Sequence, residues 1–138
     1  MLIYEILDAV EEAQTREEKM EVLASNDSLA LRDLMKVNFD PNIKLYLSKN
    51  VNWTPSESPS KNLKDITKFL VPFVEENTYD LGRRDSSFKA MLESIHPMDA
   101  QYLISIVKKQ LKVKGLTEKL VRGVWGDRIF GAVRYNKY

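Results

Sequence analysis

The sequence predicts an all-α fold, a compact single domain of about seven or eight short helices, and three observations predict it. Apolar residues recur at i, i+3 and i+4 in one segment after another. Thr, Ser, Asp or Asn stands at the start of most of those segments, where the free amides of a helix need an acceptor. The chain of 138 residues, with 43% hydrophobic and 30% charged content, has the size and balance of one globular domain with a real core. Residues 1–130 form the helical domain in this reading, and residues 131–138 a C-terminal tail.

The first helix is expected over residues 2–13, with Leu2, Ile3, Ile6, Leu7 and Val10 on one stripe and acidic residues outside. A second opens at Thr15, where Thr15 and Glu18 have the spacing of a capping box, and buries Met20, Val22 and Leu23. A turn over residues 25–28 caps a third, which carries Leu29, Leu31, Leu34, Met35 and Val37 and ends at Asn38. Asp40 followed by Pro41 is a start signal for a short fourth helix with Ile43, Leu45, Tyr46 and Leu47. Residues 50–61, rich in Ser, Asn and Pro, are the main loop. Its Trp53 reads either as a stacking platform for a base or as a pin to the core.

A fifth helix covers residues 63–76, kinked or divided at Pro72. A connector follows over residues 77–84 and ends in Arg83 and Arg84, which either hold a phosphate or are simply solvated. Asp85 or Ser86 caps the sixth helix, with Phe88, Met91, Leu92 and Ile95 inward. His96 caps or packs at the next junction, and Pro97 starts a seventh helix that runs to Leu111. The eighth spans residues 117–125, and the stretch after Gly126 reads as a short strand or an extended arm.

Composition excludes several classes of function. No apolar run approaches the roughly 18 residues of a membrane span. The first residues lack the basic flank and cleavage site of a signal peptide. Without cysteine there is neither a disulfide framework nor a thiolate metal site, which fits a reducing compartment, and the lone His96 cannot build a histidine metal site. Acid pairs such as Glu11/Glu12 and Glu75/Glu76 are adjacent, so they point about 100° apart on a helix and read as solvated faces. The net charge of +1 is unevenly placed: residues 101–138 hold nine Lys and Arg against Glu118 and Asp127, while residues 1–100 hold twelve against eighteen acids. Such asymmetry points to a polyanion-facing end or to a solvated basic tail.

The stretch 108–125, KKQLKVKGLTEKLVRGVW, concentrates that charge. Gly115 permits a positive φ or a close approach, and Thr117 can cap the helix it opens. The first turn of a helix, with its amides and positive dipole end, suits a phosphate. Lys108, Lys109, Lys112, Lys114, Lys119 and Arg122 are the candidate cations around it, with Arg83, Arg84, Lys44 and Lys49 as outlying ones.

A basic residue, glycine, an apolar residue and then Thr-Glu-Lys leading a helix resemble the closing motif of the N-terminal helical DNA-binding domain of ATP-dependent DNA ligases, especially phage ones. This chain has one extra residue between Leu111 and Gly115 relative to that motif. The run Phe39-Asp40-Pro41-Asn42-Ile43-Lys44-Leu45-Tyr46-Leu47 after two capped helices is similar to the same domain. The resemblance covers roughly residues 2–130. It implies a domain that grips duplex DNA, nicked duplex included, through phosphates and the minor groove rather than by base readout. A phage or host replication or repair protein is then an expected partner, and the cytoplasm of an infected cell the expected location.

The catalytic Lys-x-Asp-Gly of ligases is absent, as are a phosphate-binding Gly-x-x-x-x-Gly-Lys loop, a Gly-x-Ser-x-Gly elbow and a His-Glu-x-x-His motif. The expectation is therefore a non-catalytic, cofactor-free DNA-binding module with four to six phosphate contacts. A phage adaptor that keeps the fold but binds a protein is the alternative, and a split ligase subunit a third reading.

Overall fold

The structure, a computed structural model, describes residues 1–48, 50–74 and 80–130, and of Pro72 only the backbone. It is all-helical over those residues. The helices are α1 (Ile3–Glu12), α2 (Arg16–Ser25), α3 (Leu29–Phe39), α4 (Leu63–Ile66), α5 (Leu81–Leu92), α6 (Pro97–Val107) and α7 (Glu118–Trp125). A 3-10 helix, Thr67–Phe73, continues α4, and a 3-10 turn, Asp127–Ile129, follows α7.

The core is built around α3, which buries Ala30, Leu31, Leu34, Met35 and Val37. It packs on α6, α4 and the 3-10 helix, while α1 lies against α2 and α6 and α2 carries α7. The α1 stripe is as expected: Ile3, Ile6, Leu7 and Val10 are buried. Each such side chain contributes about 1.5–3 kcal/mol by leaving water. In α2 the inward residues are Leu23 and, one turn earlier, Lys19, while Met20 and Val22 are only half-buried.

The expected caps form at three places. Thr15 accepts the amide of Glu18 at 3.1 Å, Ser28 that of Leu31 at 3.1 Å, and Thr117 that of Leu120 at 3.1 Å. Glu18 does not complete a capping box, because its carboxylate takes the Gln14 amide instead. His96 Nδ1 accepts the Met98 amide at 3.1 Å, and its ring stacks on Tyr4 at 4.5 Å. Trp125 and Arg32 both donate to Asp27, which ties the end of α7 to the turn before α3.

Several expectations are overturned. The fourth helix does not form: the Asp40 carboxylate takes the Asn42 amide, and Leu45 then makes an antiparallel bridge with Val74. Ile43, Leu45 and Leu47 turn inward in alternation, a strand period that suits a backbone whose amides bond a neighbour. The fifth helix becomes 3-10 from Thr67, which leaves Phe69 51% exposed while Leu70 and Phe73 face inward. Its expected end at residues 75–76 lies outside the described residues. Asp80, not Asp85 or Ser86, caps α5, so Arg83 and Arg84 stand in its first turn rather than in a connector. Asp85 instead accepts both the amide and the hydroxyl of Ser48. Leu29 is exposed. The last expected helix but one stops at Val107, and residues 127–129 form a 3-10 turn rather than a strand, with Ile129 and Phe130 buried.

Leu2 precedes α1 and has no acceptor to offer its first turn. Asp99 of α6 supplies one: its Oδ1 accepts the Tyr4 amide at 2.7 Å, while Oδ2 is buried without a partner. Burial raises the Asp99 pKa above the ordinary carboxylate value, more than the Tyr4 amide lowers it. A raised folded-state pKa means that the stability Asp99 contributes is full below the unfolded pKa and is lost as pH rises through the folded one. Asp99→Asn keeps an acceptor and removes the charge. Urea unfolding should show wild type losing stability relative to this variant as pH rises above the ordinary carboxylate value, whereas Asp99→Ala should lose about 1–2 kcal/mol at low pH with the cap.

Candidate nucleic-acid interface

Residues 108–117 are a built loop, and its construction decides which lysines face out. α6 ends in a Schellman closure: the Lys109 amide bonds Ile106 O and the Gln110 amide bonds Ser105 O. The left-handed position in that closure normally goes to glycine, yet here it is Lys109, at φ 57°. Its side chain accounts for the exception. Lys109 Nζ donates to Val37 O and to Asp40 O, both at 2.6 Å, and so closes the carbonyl end of α3. Burial lowers the Lys109 pKa, while Asp40 opposes the shift and Lys44 adds to it. The Leu111 amide then bonds Asn38 Oδ1, and Val113 and Leu116 are buried.

Gly115 has the expected positive φ, at 79°. The close approach it allows is internal: an added Cβ would lie 2.6 Å from Lys19 Cε and 2.8 Å from Lys19 Cδ. Lys19 is buried and donates from Nζ to Val10 O at 2.7 Å and to Glu11 O at 3.4 Å, closing the carbonyl end of α1. Gly115 therefore covers the stem of a capping lysine.

The candidate cations divide accordingly. Lys112, Lys114 and Lys119 are exposed within a few residues of the Gly115 turn and the Thr117 cap. Lys108 is exposed beside Asn50, and Lys44 is exposed on the extended segment after α3. Lys109 is spent on α3. Arg122 is spent at the far end of α7, where it pairs with Glu118 at 3.2 Å and Asp127 at 3.7 Å and lies over the Phe130 ring. Arg84 is buried, donates to Phe73 O and Val74 O, and lies over the Tyr46 ring. Its place in the core overturns its assignment as a phosphate contact, because an ion with buried backbone partners cannot also reach DNA. Arg83 remains exposed on α5. Lys49 lies outside the described residues.

Sequence reasoning missed Lys19 and Glu11. Lys19 stands one helical turn before Leu23 on the inward stripe of α2, and that was its available signal. Glu11 is exposed, but its carboxylate accepts the Lys114 amide at 3.4 Å, a contact across more than a hundred residues that no local pattern announces. Trp53 is half-buried and lines a cavity of about 180 Å³ with Leu47, Phe88, Leu92 and Ile104, which is the pinning role.

The chain belongs to DUF6433, a family of unknown function, whose model matches residues 6–113 and so stops just short of Gly115. No curated protein and no solved structure matches it. Among the described residues, no helix is long and apolar enough to cross a membrane.

Gly115→Ala tests the internal role of the turn. The positive φ disfavours a side chain, and the new methyl would push Lys19 off the α1 carbonyls. Urea unfolding should report a loss of about 1–3 kcal/mol.

Proposed function

We propose that this chain is a non-catalytic module that binds duplex DNA independently of sequence, through phosphates held at the turn formed by Lys112, Lys114, Gly115 and the start of α7. The observation that carries the reading is the exposure of Lys112, Lys114 and Lys119 around a left-handed glycine and a Thr117-capped helix. Three exposed ammonium groups near the positive end of a helix attract a polyanion without reading its bases. The resemblance to the ligase DNA-binding domain supports the same reading and adds nicked duplex as a form to test. Under it, the protein works beside a phage or host replication or repair protein in the cytoplasm of an infected cell.

The internal duties of Lys109, Arg84 and Arg122 reduce the expected number of phosphate contacts from four to six down to about three. The slope of log K against log salt should then be about −2.5 to −3. Fluorescence anisotropy with intact and nicked duplexes at two salt concentrations measures it. Lys112→Glu/Lys114→Glu should abolish binding. Salt-insensitive binding, or binding unchanged in the double variant, would contradict the phosphate clamp.

A second reading has its own observation. Met20, Ala24, Gly123 and Val124 floor a groove of about 310 Å³ between α2 and α7, with Glu17 and Glu21 on its edge. A basic segment of a protein partner fits that chemistry, as the adaptor alternative requires. Absence of DNA binding at low salt together with capture of one partner lost in Glu17→Lys/Glu21→Lys would favour it.

A further inference from the structure

The Gly115 turn already holds an anionic group. Glu11, at the end of α1, places its carboxylate on the Lys114 amide at 3.4 Å. The same residue's carbonyl is held by Lys19, the side chain over which Gly115 passes. The backbone that carries the carboxylate is thus held beside the turn. Asp8, one turn earlier on α1, is engaged elsewhere, accepting the Tyr102 hydroxyl of α6.

We infer that Glu11 is a built-in competitor for the phosphate site, occupying the Lys114 amide in the free protein and being displaced when a phosphate binds. The inference rests on the phosphate-clamp reading and deepens it. A carboxylate oxygen and a phosphate oxygen seek the same donor, and two negative groups cannot share it without repulsion. The existing bond is long and solvent-exposed, which makes it one that a better-placed anion breaks at small cost. Such a competitor keeps the turn ordered while it is empty. It also restricts binding to ligands that bring several phosphates, because one phosphate must first displace the carboxylate whereas its neighbours along a strand meet Lys112 and Lys119 directly.

The test uses Glu11→Gln with Glu12→Gln as its control. Both remove one charge from the same exposed end of α1, but among the described residues no hydrogen bond or ion pair joins Glu12 to the loop, its carbonyl accepting from Gln14 instead. The Glu11 carboxylate takes no part in holding Lys19, so the variant keeps the fold. By anisotropy at low salt, Glu11→Gln should bind duplex about three- to five-fold more tightly than wild type, a gain that Coulomb repulsion at contact distance in water accounts for. Glu12→Gln should change affinity by less than about half that factor, as a screened charge further from the site. Inorganic phosphate titrated into ¹⁵N-labelled protein reads the competition without DNA: the Lys114 amide resonance should saturate at lower phosphate in Glu11→Gln than in wild type. Equal gains in the two variants, or identical phosphate titrations, would overturn the competitor role. If no variant binds duplex but the phosphate titrations still differ, the DNA-binding reading falls and the competitor stands.

Discussion

A helix ends in carbonyl oxygens that have no partner of their own, and where several helix ends are packed inside one small domain those oxygens must find donors within it. Among the described residues, Lys19, Lys109 and Arg84 are cations that supply them. Lys19 closes α1, Lys109 closes α3, and Arg84 closes the 3-10 helix that follows α4. Each places positive charge at the negative end of a helix dipole, and each is drawn away from solvent to do so. The opposite end is served in the same way by Asp99, which caps α1 from another helix.

This constraint shapes the basic segment more than its overall charge does. A surplus of lysines after residue 100 suggests a single cationic surface, yet the fold withdraws Lys109 into the end of α3 and pairs Arg122 with Glu118 and Asp127. Around the Gly115 turn this leaves Lys112, Lys114 and Lys119 outward, with Lys108 exposed further back beside Asn50, and the turn itself sits on a loop fastened at both sides. On one side the Leu111 amide and Lys109 hold the loop to α3, and on the other Gly115 rests on Lys19. A loop fixed in this way can present backbone amides and ammonium groups without a large ordering cost on binding. The capping lysines and the candidate ligand-binding lysines are thus parts of one arrangement.

The helical class, the apolar stripe of α1, that of α3 apart from Leu29, and the caps at Thr15, Ser28 and Thr117 were legible, because periodicity and capping are local. What was not legible depends on partners far along the chain. The Asp40-Pro41 start signal failed because the following backbone bonds the end of the 3-10 helix, the Tyr46 amide donating to Phe73 O, rather than itself. The helix through Leu111 stopped early because a lysine took the left-handed position usually marked by glycine, held there by carbonyls of α3. At the candidate site, Gly115 and Thr117 were found by their conformational and capping requirements. The inward turn of Lys109 and Arg84 and the presence of Glu11 were not, since charge alone does not say which way a long side chain points.

Amine acylation under limited reagent, read residue by residue by mass spectrometry with and without duplex DNA, tests most directly the division of the lysines into helix-closing and outward-facing sets. The account predicts that Lys19 and Lys109 react slowly in both conditions, and that Lys112, Lys114 and Lys119 react readily and are protected by duplex. If Lys109 reacted as fast as Lys112, or if duplex protected Lys109 while leaving Lys112, Lys114 and Lys119 open, the division would be wrong.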